Sequence, residues 1–285
     1  MLNDLIKNAE TIVIIAHKNL DGDALGAVLA MGHFIRNVFN KDPILAHEGV
    51  IPDNLRFMSG GWWLKKASDL KEQIFDLAIV LDTADINVQV DDDARAIIAN
   101  AKARLKIDHH PNSVPLDGEN IILQTSATCE IIANIAIEND WEITADIAKF
   151  LYTGIYTDTG GFVHDYTTGA TLRLAALMME KGARQDWIAR RLNERPMTTF
   201  LNNAETLART LFSENKKIGY TTFSVKKNSE GDRPHRETGW LHANILAVKE
   251  IDASVIFKEL DAGEPLVHIS LRSKYLPING FAESF

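Results

Sequence analysis

The feature that most constrains the fold is an alternation, over residues 1–183, between short apolar runs rich in β-branched residues and longer stretches with helical spacing. Residues 11–16 (TIVIIA) are typical of a strand that is buried on both faces. Leu25, Leu29 and Ile35 follow at helical spacing. Because successive parallel strands need a crossover connection, this alternation predicts an α/β fold with a largely parallel sheet flanked by helices.

The same patterns give the order of elements in this region. The predicted strands are residues 11–16, 43–46, 76–81 and 104–107. The predicted helices are residues 24–38, 91–103, 127–139 and 144–156, the last with Thr144 as its N-cap.

The rest of the chain changes character twice. From residue 170 to 212 the pattern is helical, with interruptions near Gly182 and at Pro196. Beyond residue 216, strands are predicted at 220–225 and 266–271, and a helix at 238–249. We therefore predict a main α/β domain over 1–183, a helical connector over 184–215 and a second, smaller α/β domain over 216–285.

The composition excludes several classes of protein. Apolar residues make up 46% of the chain and charged residues 24%, as in ordinary folded proteins, and no apolar run approaches the roughly 20 residues of a membrane-spanning helix. The formal charge of −9 disfavours binding to long nucleic acid, which depends on Lys and Arg. The single cysteine, Cys129, favours a reducing cytoplasm. We expect a cytoplasmic protein with a small or short anionic substrate, and neither a membrane nor long nucleic acid as partner.

Acidic and histidine side chains collect at the ends of the predicted elements. In open parallel sheets, ligands bind beyond the carboxyl ends of the strands, so these residues are expected to share one edge. They are, in chain order, His17, Asp21 and Asp23 after the first strand, Asp82 after the third, Asp108-His109-His110 after the fourth, and Asp158 in the turn after the helix at 144–156.

So many carboxylates at one edge would repel one another and raise each other's pKa values, and a bound divalent cation removes that penalty. The number of donors exceeds the need of one ion and suits two that share a carboxylate. Imidazole and carboxylate ligands without thiolates favour Mn²⁺, with Mg²⁺, Co²⁺ or Zn²⁺ as alternatives. Two such ions lower the pKa of a bridging water and stabilise the attacking and leaving oxygens of a phosphoryl centre.

Taken singly, each residue also has an ordinary structural explanation. An Asp after a strand or helix, such as Asp82 or Asp158, is commonly a helix cap or a turn residue. The triplet at 108–110 is alone compatible with an exposed turn, and we predict that Asp85 caps a helix rather than binding a ligand. The coincidence of several clusters at matching element ends favours the metal centre.

The same residues, in this order and spacing, resemble the motifs of the DHH phosphoesterases, a family that includes RecJ exonucleases, manganese pyrophosphatases and cyclic-dinucleotide phosphodiesterases. The resemblance is carried by HKNLDGDALG at 17–26, Asp82, DHHP at 108–111 and DTG at 158–160. The helical connector, ISLRSK at 269–274 and INGF at 278–281 are most similar to the NrnA-type branch. Members of that branch are small oligoribonucleases that also act as phosphatases on 3′-phosphoadenosine 5′-phosphate.

The resemblance implies a ligand set for each of two ions, expected to be Mn²⁺ with Mg²⁺ or Co²⁺ as alternatives. The bridging carboxylate would be that of Asp82. The implied ligands are His17, Asp21 and Asp82 for one ion, and Asp23, Asp82, His109 and Asp158 for the other.

It also implies how substrate is held and cleaved. His110 would contact the scissile phosphate or assist the leaving oxygen, so that Asp82 and His110 are the expected catalytic residues. Arg272 and Ser273 would reach a substrate phosphate from the second domain, a role that suits a forked guanidinium. The implied reaction is hydrolysis of short oligoribonucleotides, 3′-phosphoadenosine 5′-phosphate, or both, by a dimanganese-activated water. The alternatives are a cyclic or linear dinucleotide phosphodiesterase and a non-catalytic nucleotide-binding regulator on the same fold.

Two departures from the family pattern bear on these expectations. Leu20 stands where the family often has Pro. The family also continues past the equivalent of Phe285 into a Gly-rich stretch with a His that binds the terminal nucleotide, so we expect the second domain of this chain to be truncated. Because family members often dimerise, we also expect a homodimer.

Overall fold

The computed structural model describes residues 2–58, 64–225, 234–261 and 265–275. The chain forms two compact units, residues 1–193 and 194–285. The domain boundaries that the sequence suggested, at 183 and 216, stay a prediction. The INGF segment at 278–281 and the chain end lie outside the described residues.

The first unit is built on a five-stranded parallel sheet, as predicted for an α/β fold. Two of its strands consist of buried residues throughout, which explains their continuous apolar sequences. In the order β2-β1-β3-β4-β5, the sheet contains β1 (Ile12–Ala16), β2 (Ile44–Ala46), β3 (Leu77–Leu81), β4 (Ala103–Asp108) and β5 (Glu119–Ile122).

Successive side chains of a strand point to opposite faces of the sheet. Because the side chains of β1 are apolar on both faces, both faces must be covered. Ile12 and Ile14 of β1 belong to one apolar cluster, whereas Val13 and Ile15 belong to a second. None of the helices in the described part of the chain is long and apolar enough to cross a membrane. The helices of this unit are α1 (Leu2–Asn8), α2 (Gly22–Phe39), α3 (Ile86–Gln89), α4 (Asp92–Asn100), α5 (Thr128–Glu138), α6 (Ala145–Asp158), α7 (Gly169–Glu180) and α8 (Gln185–Asn193), with 3₁₀ turns at Asp53–Met58 and Ala67–Asp69.

Side-chain caps fix where the helices near the sheet edge begin. The Asp21 carboxylate accepts hydrogen bonds from the backbone N–H groups of Asp23 and Ala24, both at 3.0 Å, and so starts α2 two residues earlier than the sequence suggested. Thr144 caps α6, as predicted. Asp85 caps α3 by accepting from the backbone of Asn87, which confirms its predicted structural role.

The second unit is a smaller mixed sheet with two helices. Its strand order is β6-β7-β8-β9, in which β7 and β8 are parallel and the other two pairs are antiparallel. The elements are α9 (Met197–Ala208), β6 (Leu211–Phe212), β7 (Ile218–Val225), α10 (Pro234–Leu246), β8 (Ala253–Asp261) and β9 (Pro265–Ser273).

The structure differs from the sequence prediction at four places. The helical pattern was extended to 212, but the helix ends at Ala208 and β6 pairs with β7. Strand β8 was missed because Lys258 interrupts its apolar residues, and β5 was missed because it is a four-residue edge strand with half-buried side chains. The helix predicted at 91–103 ends at Asn100, because the backbone of Ala103 bonds to Asp76 at the start of the sheet.

A buried histidine links the helix and sheet of the second unit. The ring of His242, on α10, lies 2.5 Å from Ser254 Oγ through Nδ1 and 2.9 Å from Ser270 Oγ through Nε2. Burial, together with the charge of Arg272, lowers the pKa of His242 to about 4. The ring is therefore neutral in the folded protein at neutral pH.

This burial predicts an acid-sensitive second unit. Above pH 6.5 His242 is neutral in both states and its stabilising contribution is complete; as the pH falls towards 4, only the unfolded chain takes up the proton and that contribution is lost. Between pH 6.5 and 4.5 we expect the free energy of unfolding to fall more steeply in the wild type than in His242→Gln, by up to about 1.4 kcal/mol per pH unit. Urea titrations followed by circular dichroism measure this slope.

The control is His268→Gln, which alters an exposed histidine on β9. It should keep the wild-type slope. A wild-type slope in His242→Gln would contradict the prediction.

Candidate metal centre

The residues predicted at the sheet edge follow three adjacent strands. In the sheet, β3 lies between β1 and β4, and all three are parallel. His17 follows β1, Asp82 follows β3 and His109 follows β4. Their side chains therefore meet at one edge, as the sequence indicated.

One group of candidate ligands surrounds His17. Its Nε2 atom lies 3.7 Å from Asp21 Oδ2 and 3.5 Å from Asp82 Oδ2. Asp82 is buried, whereas Asp21 is half exposed. Ligand atoms about 2.1 Å from a shared ion lie roughly 3.0–3.5 Å from each other, so this spacing suits a common cation.

A second group surrounds His109. Its Nε2 atom lies 3.3 Å from Asp158 Oδ2 and 3.6 Å from Asp82 Oδ1. Ligand atoms of Asp23, His109 and Asp158 also lie within 4.8 Å of one another. The two oxygens of Asp82 thus face different histidines, His17 through Oδ2 and His109 through Oδ1.

Asp158 reaches this edge because α6 packs closely at Gly154. A Cβ atom at Gly154 would lie 2.7 Å from Asp23 Oδ1, so only glycine allows this approach. Asp158, four residues on, lies on the same face of the helix. It is the last residue of α6 rather than part of the turn that the sequence predicted.

The conformation of Asp82 is unusual for a residue with a side chain. Its φ angle is 50°, in the left-handed region that Asp tolerates better than most residues. The buried hydroxyl of Thr128 donates to Asp82 Oδ1 at 3.0 Å and fixes the carboxylate. Sequence reasoning missed Thr128, since only the tertiary fold brings residues 82 and 128 together.

Asp23 is held by the amino-terminal end of α5. The backbone N–H of Thr128 donates to Asp23 Oδ2 at 2.6 Å, and that of Cys129 donates to Oδ1 at 2.9 Å. Both N–H groups belong to the first turn of a helix, where they have no acceptor within the helix. Each carboxylate oxygen keeps a second lone pair that can bind a cation.

Hydrogen bonds also orient the two neighbouring histidines. His109 Nδ1 lies 3.2 Å from the Thr125 carbonyl oxygen, and His110 Nδ1 lies 2.7 Å from Asp108 Oδ1. An acceptor at Nδ1 favours the proton there and leaves Nε2 for a ligand. The two Nε2 atoms are therefore the ring nitrogens that can act at the edge.

At this edge of the sheet, the negative charge of the carboxylates exceeds the positive charge that the protein's own side chains supply. Burial raises the pKa of Asp23 well above its usual range, and the charges of Asp82 and Asp21 raise it further. Burial and the charge of Asp23 raise the pKa of Asp158 to about 8. Burial opposes a charge on His17, but Asp21 and Asp82 raise its pKa to about 10. Protons thus hold positions that divalent cations would take, and the donor set fits such ions.

The ligand groups open onto a cavity of about 490 Å³. Polar side chains form most of its wall, which suits a charged substrate better than an apolar one. The lining residues are His17, Lys18, Asn19, Asp21, Asp82, Val88, Gln89, His109, His110 and Asp158.

The predicted substrate residues Arg272 and Ser273 belong to the second unit. Arg272 is exposed near the end of β9, opposite Ser254 of β8. Ser273 Oγ donates to the Asp252 carbonyl oxygen at 3.2 Å and accepts from the backbone of Tyr275 at 3.3 Å. Their role in binding substrate stays a prediction.

Comparison with known proteins supports the resemblance found in the motifs. The family model described as DHH family, N-terminal domain, matches residues 11–155, slightly more than half of the chain. This range includes His17, Asp21, Asp23, Asp82 and His109, and Asp158 lies just beyond it.

Two of the relatives that match this chain in sequence are NrnA proteins. The probable bifunctional oligoribonuclease and PAP phosphatase NrnA of Streptococcus mutans is 32% identical over 61% of this chain, which spans only 54% of that relative. The bifunctional oligoribonuclease and PAP phosphatase NrnA of Bacillus subtilis is 27% identical over 97% of this chain and 85% of its own length. These matches confirm the resemblance to NrnA-type proteins.

The fold is also similar to a solved structure. The crystal structure of an exopolyphosphatase-related protein from Bacteroides fragilis superposes with a TM-score of 0.87 at 23% identity, covering the whole of this chain and 85% of that one. It confirms the two-part α/β architecture and, at this identity, carries no statement about activity.

The raised pKa values predict that cations displace protons from this edge. His17 must lose its proton to ligate, and Asp158, with a pKa of about 8, is mostly protonated at pH 7. We therefore expect Mn²⁺ binding to the metal-free protein at pH 7 to release about one to two protons, and the affinity to rise between pH 6 and 8. Isothermal titration calorimetry in buffers of different ionisation enthalpy counts these protons.

In Asp158→Asn the proton count should fall, because that site no longer carries a titratable group. Binding without proton release at pH 7 would show that cations do not replace protons on these residues.

Proposed function

The chain belongs to the DHH family, and from this premise we propose that it is a metal-dependent phosphoesterase that hydrolyses short oligoribonucleotides, 3′-phosphoadenosine 5′-phosphate, or both. The observation that carries the proposal is the orientation of Asp82. Its oxygens lie 3.5 Å from His17 and 3.6 Å from His109, so one carboxylate faces both ligand groups. A shared carboxylate is what a pair of adjacent ions requires.

Two divalent ions would be held at the sheet edge, and we propose Mn²⁺ for both, with Mg²⁺ or Co²⁺ as alternatives. When bound, such ions supply a water of lowered pKa and neutralise charge on phosphoryl oxygens. The proposed ligands are His17, Asp21 and Asp82 for one ion, and Asp23, Asp82, His109 and Asp158 for the other.

His110 is the proposed catalytic side chain that is not a ligand. The fully buried Asp108 accepts a hydrogen bond through Oδ1 from His110 Nδ1 at 2.7 Å. This contact raises the pKa of the His110 imidazole. The His110 Nε2 atom can then donate a proton, either to a non-bridging phosphate oxygen or to the leaving oxygen. Because His110 lines the cavity beside Asp82, it would meet the phosphate that the cations bind.

The substrate class rests on the relatives and on charge. The relatives from S. mutans and B. subtilis carry the name bifunctional oligoribonuclease and PAP phosphatase. The net charge of −9 favours short substrates, because few basic residues are available to follow a long backbone. Arg272 and Ser273 are the proposed phosphate contacts of the second unit, where a guanidinium can bind a phosphate through two N–H groups.

The same proposal includes a cytoplasmic location, inferred from the single cysteine, and a homodimer, inferred from the resemblance.

Assays on di- to pentaribonucleotides, cyclic dinucleotides and 3′-phosphoadenosine 5′-phosphate, with and without Mn²⁺, rank the substrates. Turnover of cyclic or linear dinucleotides alone would replace the proposed substrate class. Nucleotide binding without any turnover would identify a regulator instead of an enzyme.

Substitution of the shared carboxylate is the most direct test of the mechanism. We expect Asp82→Ala to lower metal-dependent kcat by at least about 1,000-fold while the protein stays folded, since both ligand groups lose a member. The rate is measured with a chromogenic phosphodiester and folding by circular dichroism. Asp85→Ala is the matched control, because it removes a carboxylate three residues away that caps a helix and belongs to neither ligand group; it should cost about 1 kcal/mol of stability and keep most of the turnover. Activity that persists in Asp82→Ala would remove the bridging role.

The proposed role of the second unit in binding substrate is tested by substitution of Arg272, whose guanidinium is exposed. We expect Arg272→Ala to raise KM about tenfold or more while leaving the affinity for Mn²⁺ unchanged, because Arg272 is proposed to bind a substrate phosphate and no metal. Steady-state kinetics and calorimetry measure the two quantities. Lys274→Ala removes a nearby positive charge, whose Nζ donates to the Val248 carbonyl oxygen at 2.8 Å, and should leave KM near the wild-type value. Equal loss of substrate and metal binding would make Arg272 structural.

A further inference from the structure

A fully buried lysine lies directly beneath the sheet edge. Lys106 is in β4, where Leu105 and Ile107 point to one face of the sheet, and Lys106 and Asp108 point to the other. No part of the Lys106 side chain is exposed. Its neighbours in the sheet register are Val80 of β3, which belongs to an apolar cluster, and Asn120 of β5. A charged side chain at such a position needs specific partners.

The Lys106 ammonium has two hydrogen-bond acceptors and one carboxylate neighbour beyond hydrogen-bond distance. Nζ donates to the Ala84 carbonyl oxygen at 2.9 Å and to the Val114 carbonyl oxygen at 2.7 Å. Asp108 Oδ2 lies 3.8 Å away. Ala84 is two residues after Asp82, and Val114 is four residues after His110. One ammonium therefore ties together the loops that follow β3 and β4.

Asp108 connects this ammonium to the predicted catalytic histidine. Its Oδ1 atom accepts from His110 Nδ1, while its Oδ2 atom faces Lys106. Stability alone does not require a lysine here, since replacing a buried ion pair by apolar residues of similar size is often neutral or favourable. The side chain instead holds the orientation of groups at the edge.

We propose that Lys106 is a positioning residue, which fixes the orientation of the His110 imidazole through Asp108. This inference rests on the proposed function only in giving His110 a role in turnover. Lys106 itself does not line the cavity, so it touches neither substrate nor cation.

A double-mutant cycle separates this role from a merely structural one. In Lys106→Met, which keeps the length of the side chain, we expect kcat on a chromogenic phosphodiester to fall about tenfold or more, with KM changed less than about threefold. In a His110→Gln background the same substitution should change kcat by less than about twofold, because its effect passes through His110. Equal falls in both backgrounds, or no fall in either, would overturn the proposal.

The matched control is Lys102→Met. Lys102 lies just before β4, pairs with Asp76 at 2.7 Å and is largely exposed at the opposite end of the strand. It should keep wild-type kcat in both backgrounds. If Lys106→Met does not fold, Lys106→Gln enters the same cycle, since its amide can still donate to the Ala84 and Val114 oxygens.

A second readout does not depend on turnover. In the metal-free protein, ¹H–¹⁵N spectra should show a protected proton on His110 Nδ1, bonded to Asp108. That signal should be lost in Lys106→Met and kept in Lys102→Met. A signal that persists in Lys106→Met overturns the positioning role, whereas a wild type that shows the signal but hydrolyses none of the substrates refutes the proposed function alone.

Discussion

Mutual repulsion among four carboxylates is the constraint on which the rest of the first unit depends. Asp21, Asp23, Asp82 and Asp158 gather within one short edge, and burial makes the charges of Asp23 and Asp158 harder to sustain. The protein supplies partial compensation from two histidines, the first turn of α5 and the Thr128 hydroxyl. That compensation orients the oxygens and leaves a deficit of positive charge. The deficit is the electrostatic basis for expecting cations there.

The fold meets this constraint with rigid elements rather than with long loops. His17, Asp82 and His109 each follow a strand directly, so the register of β1, β3 and β4 sets their spacing. Asp23 lies in the first turn of α2, and Asp158 ends α6. Lys106 donates hydrogen bonds to the loops that follow β3 and β4. The groups that would contact phosphate are thus fixed before any substrate arrives, which is how a preorganised electrostatic site acts.

The sequence predicted this site to the extent that its residues depend on local pattern. His17, Asp82 and the triplet at 108–110 follow apolar runs, so strand ends alone bring them together. Asp158 was grouped with them because it was expected in a turn after a helix, although it is the last residue of α6. The contacts of Thr128 and Lys106 were not predicted. The backbone N–H of Thr128 binds Asp23, which is 105 residues away in sequence. Lys106 is a charged residue between two apolar residues of β4, so no local pattern indicates its partners. Strand β8 was missed for the same reason, since burial of Lys258 depends on tertiary packing.

The contact at Gly154 limits how such a chain can diverge over time. The absence of a side chain there lets α6 lie against Cys129 and Asp23, and a single methyl group would overlap both and force the helix outward. Asp158 would move with it, four residues along. Because selectivity among divalent ions follows cavity size and the number of oxygen donors, a substitution at Gly154 would change the space that the Asp23 and Asp158 carboxylates leave for an ion. The spacing of the carboxylates at this edge therefore depends on a residue that carries no side chain.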